Sequence, residues 1–242
     1  MSERTLSPGA IADGGRSDTV LAWDLPTRLA KWALVVLVGC AFLSKYYGDV
    51  GLVWHMWNGL AILVVVVFRL LWGLVGGSTA RFAGFLRGPG AILAYVRGLA
   101  SGRAPRFLGH NPAGGWVVVA LLVLVGAQAT SGLFLTDDII VEAPLSTVVS
   151  GAVVRWAGWL HHNIYRVLLA LIAVHVAANL AYSAFGKDNL ILAMLSGRKR
   201  GGGYVDHGAA RPGPVLLALA CLAVAAGVVF GGIALAGGDP FP

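Results

Sequence analysis

The sequence predicts an all-α fold, an integral membrane helical bundle with five spans. Three observations predict it. Of its 242 residues, 57% are hydrophobic and only 12% carry a charge, a balance outside the range of soluble domains. Five apolar runs, 26–46, 53–74, 114–135, 156–185 and 214–237, reach the roughly 20 residues needed to cross a hydrocarbon core. Their apolarity is continuous, without the period-2 alternation of barrel strands. In lipid each backbone polar group must then be satisfied within its own segment, as a helix. Third, most of the basic residues gather in alternate connections.

The first span opens at Asp24, an N-cap residue type, with Pro26 just inside. Residues 1–22 are polar and rich in Gly and Ser, with no apolar core, so they read as a mobile tail rather than a signal peptide. A short link, 46–51, leads to the second span. The connection to the third span is long enough for a surface helix over 91–99, and Gly109-His110-Asn111-Pro112 enters the third span. Between the third and fourth spans, apolar residues are spaced for a lid helix over 145–154. Residues 201–213 begin with three glycines and read as a flexible linker before the fifth transmembrane helix and external C-terminus, 214–242. No internal repeat is evident.

The charges orient the bundle. Arg4, Arg16, Arg28 and Lys31 precede or open the first span. Arg69, Arg81, Arg87, Arg97, Arg103 and Arg106 flank or fill the second connection, and Lys187, Arg198, Lys199, Arg200 and Arg211 fill the fourth. The other connections and the C-terminus hold Lys45 and Arg155 against Asp49, Asp137, Asp138, Glu142 and Asp239. By the positive-inside rule the N-terminus is cytoplasmic and the C-terminus periplasmic, which an odd number of spans requires. The net charge of +7 thus faces anionic membrane lipid and not nucleic acid. The two cysteines, Cys40 and Cys221, lie inside spans and make no CxxCH. That excludes covalently attached haem and iron–sulfur clusters.

His161 and His175 lie fourteen residues apart in the fourth span. Fourteen residues return a helix to within about 40° of its starting direction, displaced by roughly 21 Å. Two imidazoles on one face, near opposite leaflets, are placed to hold two stacked haems. His162, thirteen residues before His175, points about 140° away. His55 begins the second span at the depth of His161, so the two can share one iron, and Gly59 one turn below leaves room for a flat macrocycle. Ionisable groups inside a membrane are costly and normally functional. The inner iron has His175, and the nitrogen bases near it are Lys31, Arg69 and His110. Guanidinium suits propionates or a quinone oxygen better than iron. Lys31 ligates only as a neutral amine, and its alternative is to snorkel to lipid phosphate. His110, Asn111 and Pro112 have the ordinary reading of helix entry and capping.

These residues resemble the prokaryotic cytochrome b561 and Ni,Fe-hydrogenase b-type cytochrome superfamily. The matching stretches are Trp23-Asp24-Leu25-Pro26-Thr27-Arg28, His55 with Gly59, Arg69-Leu70-Leu71-Trp72-Gly73, Ala80-Arg81-Phe82, Gly109-His110-Asn111-Pro112 with Gly114-Gly115-Trp116, the His161/His175 pair, and Met194 with Gly197-Arg198-Lys199-Arg200. The resemblance spans about 20–200 and implies four haem-binding transmembrane helices over 23–200 holding two b haems, the fifth helix being an addition. It carries over His55 and His161 as outer ligands and His175 as an inner one. It departs at Lys31, where the family has a histidine, which leaves the inner haem Lys/His-ligated, five-coordinate or missing. It also implies a quinone beside the inner haem, at His110 and Asn111 with Arg69 nearby.

The function expected is a transmembrane b-type cytochrome that carries electrons between the membrane quinone pool and a periplasmic redox partner, such as a c-type cytochrome. Asp137, Asp138 and Glu142 form an acidic rim able to steer a basic partner. The alternative is the membrane anchor and haem subunit of a periplasmic dehydrogenase or hydrogenase. A non-redox protein whose histidines bind zinc is a third reading. An oxidoreductase acting on superoxide would need a basic outer pocket that the external residues do not offer. Homo-oligomer formation is compatible with the sequence.

Overall fold

The computed structural model describes residues 19–44, 46–136, 142–186, 188–206 and 208–241. Most of the tail, along with Lys45, Asp137, Asp138 and Lys187 from the charge argument, lies outside the described residues. The described chain is mostly helical, and five of its helices are long and apolar enough to cross a membrane. They are α1 (Leu25–Ser44), α2 (Gly48–Val75), α5 (Pro112–Gly132), α6 (Gly151–Phe185) and a fifth span that begins as α8 (Val215–Ala226). Between α2 and α5 lie a single turn, α3 (Phe82–Phe85), and the expected surface helix, α4 (Pro89–Ala100).

Local chemistry sets the helix starts. Asp24 accepts the Thr27 backbone N–H at 3.1 Å, which caps α1. Asn111 accepts the Gly114 N–H at 2.7 Å, with Pro112 inside the first turn of α5. Both are ordinary N-terminal devices, since the first backbone N–H groups of a helix have no partner within it.

α2 is the central helix. α1, α5 and α8 all pack on it, while α6 packs chiefly on α5. Among the described residues no comparable packing joins α6 to α1 or α2. One core cluster gathers Leu60, Ile62, Leu63 and Val66 of α2 with Val125 and Ala129 of α5, Leu168 of α6 and Val229 and Ile233 of the fifth span. A second sets Phe68 and Trp72 of α2 against Ala218, Cys221 and Ala225 of α8. Trp72 is fully buried and donates through Nε1 to Thr27 Oγ1 at 3.2 Å. A buried indole normally needs such a partner.

The fifth span is not a uniform α-helix. Gly227–Gly231 forms a π turn, after which α9 (Gly232–Leu235) completes it. After Ala218, its buried side chains Cys221, Ala225, Val229 and Ile233 fall at every fourth position.

Three expectations are corrected. The lid helix over 145–154 does not form: residues 144–149 are turns, and Gly151–Val154 are the first turn of α6. The apolar spacing there is the beginning of a long transmembrane helix. Thr19–Leu21, assigned to the tail, form strand β1, paired antiparallel with β2 (Arg198–Arg200). The linker is not free either. Asp206 accepts the backbone N–H groups of Leu108 at 2.7 Å and Gly109 at 2.9 Å, tying 201–213 to the entry of α5.

The basic end of the bundle is held by buried polar contacts. Arg106 pairs with Asp188 at 2.5 Å, and Tyr204 donates to Asp188 at 3.2 Å. Burial, followed by the negative charge of Asp188, pushes the Tyr204 hydroxyl up to about 12. Lys199 is buried and donates to the Phe107 carbonyl at 3.0 Å. Burial lowers its pKa below the usual lysine range, against the raising effect of Asp188 and Asp206. α7 (Leu190–Ser196) ends at Gly197, whose φ of +79° lies in the left-handed region. A Cβ there would also sit 2.9 Å from the Trp23 carbonyl oxygen.

Candidate functional site

At the end opposite the basic loops, α2 presents His55 and α6 presents His161. Their ring centroids are 6.1 Å apart, with planes at 75°. Imidazole–metal bonds are about 2 Å long, and each ring centre lies about 1 Å behind its nitrogen, so two imidazoles sharing one metal ion have centroids roughly 6 Å apart. The spacing fits a single iron between the rings.

Both rings are also oriented for ligation. His55 Nδ1 lies 2.8 Å from the Ala41 carbonyl oxygen of α1. His161 Nδ1 lies 2.9 Å from the Gln128 carbonyl oxygen of α5, with Ser131 Oγ at 3.2 Å. A carbonyl only accepts, so each Nδ1 carries the proton and each Nε2 keeps its lone pair. A hydrogen bond from the non-ligating nitrogen is the usual way a protein fixes tautomer and ring direction at a metal.

Glycines shape this site. A Cβ on Gly132 would meet His161 Cε1 at 3.1 Å, so α5 approaches the ring closely only because it has no side chain there. A Cβ on Gly59 would meet nothing within 4 Å, which leaves open space one turn below His55. His162 is exposed, with Nδ1 2.7 Å from the Gly158 carbonyl of its own helix, and takes no part.

At the basic end a second set of bases converges. Both ring nitrogens of His110 are buried without a hydrogen-bond partner, as is Nη1 of Arg69. The His110 ring lies between Trp23, with centroids 4.7 Å apart, and Phe85, at 4.5 Å. Burial holds His110 well below the ordinary histidine pKa. The neighbouring positive charges of Lys31, Arg69, Lys199 and His175 add to the effect. Those four residues, from α1, α2, β2 and α6, lie within electrostatic reach of His110.

Arg69 is 2% exposed and donates through Nη2 to the Ala80 carbonyl at 3.0 Å. Lys31 Nζ lies 3.0 Å from Met194 Sδ and 4.4 Å from the centre of the Trp23 ring. Asn179, one turn along α6, brings its Nδ2 to 3.2 Å from His175 Nε2 and 2.7 Å from the His175 carbonyl. Asn111 Oδ1 is occupied in capping α5, leaving its amide NH2 for a ligand. Unpartnered buried polar atoms are rare in folded proteins, and those of His110 and Arg69 suit a polar ligand.

The sequence reading did not single out Ala41, Gln128, Ser131, Asn179 or Met194 as supports. Gln128 carried a signal through its side chain, an amide in the middle of an apolar span that donates through Nε2 to the His161 carbonyl at 3.1 Å. The Ala41 carbonyl carried none, since any residue type supplies one.

Five membrane-spanning helices with two imidazoles close enough to share one metal fit a haem-binding membrane protein. Residues 22–197 match the family model described as prokaryotic cytochrome b561, and the chain belongs to that family. It is a membrane b-type cytochrome of electron transfer. No curated protein matches the chain.

Proposed function

We propose that the protein carries electrons across the bacterial cytoplasmic membrane between the quinone pool and a periplasmic redox partner, through two b haems. His55 and His161 would hold the haem near the periplasmic side. His175 and Lys31 would hold the one near the cytoplasmic side, where the basic loops and the N-terminus lie. Bound haem supplies one-electron chemistry at its iron, while the protein sets ligation, surroundings and distance.

The observation that carries this reading is the His55–His161 pair, with centroids 6.1 Å apart and each Nδ1 committed to a carbonyl. The separation of α6 from α1 and α2 supports it, because a flat macrocycle needs a slot between helices. For His175 to bind through Nε2, the Asn179 amide moves off that nitrogen and keeps its bond to the His175 carbonyl.

Arg69 and His110 offer the buried donors for a quinone oxygen or a haem propionate. Asn111 stands beside them at the head of α5. Glu142, in a connection whose sequence also carries Asp137 and Asp138, offers negative charge to a basic partner such as a c-type cytochrome.

The test is a pyridine haemochrome assay with electron paramagnetic resonance of the oxidised protein. Two b haems per chain are expected, one lost in His55→Ala and the other altered in Lys31→Ala. Both haems retained in His55→Ala would refute the assignment.

A further inference from the structure

Lysine has a long flexible stem and a rotatable head, so a ligating amine on Lys31 has to be aimed. The structure contains a device suited to that. α7 is stapled to α1 around one residue, Met194. Arg28 donates through Nε to the Met194 carbonyl at 3.2 Å and through Nη2 to the Leu195 carbonyl. Trp32 Nε1 donates to the Met194 carbonyl at 3.4 Å. At the other end of α7, Asn189 Oδ1 accepts the Leu192 N–H at 2.9 Å. The Met194 backbone is thereby pinned to the same face of α1 that carries Lys31, and its Sδ lies 3.0 Å from Lys31 Nζ. The Trp23 ring flanks the same nitrogen, 4.4 Å from ring centre to Nζ.

We propose that Met194 is the positioning residue for Lys31 as a haem-iron ligand. Its sulfur accepts one amine N–H, which would leave the nitrogen lone pair free to hold the haem iron together with His175. This rests on the reading above that Lys31 ligates iron. The role matches that of the Ala41 and Gln128 carbonyls at the other pair, where the part of each ligand not facing the metal is also held. A leucine would fill the same volume, so the function lies in the acceptor and not in the bulk. Supports of this kind are worth about 10–100-fold in metal-site affinity.

The experiment uses the full-length protein, with the His55/His161 haem as internal standard of folding. Haem content, the resonance of each oxidised haem and their midpoint potentials are compared in wild type, Met194→Leu, Met194→Gln and Lys31→Ala. The expected result is that Met194→Leu shifts the signal and potential of the second haem or loosens that haem about tenfold or more. Met194→Gln, whose amide oxygen can accept the same N–H, restores the wild-type signal. A Met194→Leu protein identical to wild type would overturn the proposal. So would a Met194→Gln protein that behaves like Met194→Leu, since packing would then be the whole effect. If Lys31→Ala keeps a low-spin second haem with the weak far-red band of thioether-ligated ferric iron, Met194 is itself the ligand and the positioning role is wrong. If Lys31→Ala leaves every signal unchanged, or wild type holds one haem, the ligation reading fails first and takes the proposal with it.

Discussion

Gly132→Ala is the sharpest test of the His55–His161 site, because it adds one methyl group where α5 lies against the His161 ring. A Cβ at 132 meets His161 Cε1 at 3.1 Å and Nδ1 at 3.4 Å. Carbon atoms prefer separations of about 3.5–4.0 Å, so the ring must retreat by roughly 0.5 Å. The hydrogen bond that orients it, His161 Nδ1 to the Gln128 carbonyl at 2.9 Å, is then stretched to the edge of bonding distance. Losing it costs about 1 kcal/mol, and loss of a comparable support at a metal weakens affinity about 10–100-fold. The assay is haem retention during dilution into apomyoglobin, together with the resonance of the oxidised protein. Gly126→Ala is the control, since a Cβ there meets only Val66 Cγ1 at an ordinary 3.5 Å. Gly132→Ala should lose one haem about tenfold faster than Gly126→Ala, with the second haem unaffected. Equal behaviour of the two variants would show that the ring is not held for ligation.

Other expectations follow from the same geometry. His161→Ala should abolish one haem, whereas His162→Ala should keep both, because the exposed His162 ring is committed to its own helix. Haem stoichiometry reads this directly. Arg106→Met leaves the carboxylate of Asp188, whose side chain is 3% exposed, without its cation. The melting temperature in detergent should fall by an amount reflecting about 3 kcal/mol, and Asp188→Asn in the same background should recover part of it. His110 gives a pH dependence. Its folded pKa lies well below 6.5, so below that pH the unfolded chain takes up a proton that the folded one does not. Stability is complete above about pH 6.5 and falls on acidification by up to about 1.4 kcal/mol per unit. Thermal melts from pH 7 to 5 should show a shallower fall in His110→Gln than in wild type.

The spans were legible because lipid leaves few choices: a continuous apolar run must be a helix, and its length sets its limits. The pairing of His55 with His161 was legible for a related reason, since depth and helical phase fix which residues of two spans can meet. The basic end was less so. Met194 lies 163 positions from Lys31, and no periodicity connects them. Strands β1 and β2 are three residues each, too short to show alternation. The clasp of Asp206 on Leu108 and Gly109 uses backbone N–H groups, which every residue has. The misread stretch 145–154 shows the converse. Its apolar spacing was real, but the residues before Gly151 turn and those after it belong to a much longer element.

The π turn at Gly227–Gly231 bears on how the fifth span keeps its grip on the central helix. In an ordinary α-helix, side chains four apart advance about 40° around the axis at each step, so three such steps would carry Ile233 well away from the direction of Cys221. Yet both are buried. The wider turn absorbs that rotation, much as a leap day returns a calendar to its season. A single extra residue in this stretch is therefore tolerable, and deleting one should heal the coil into a regular helix that still faces inward.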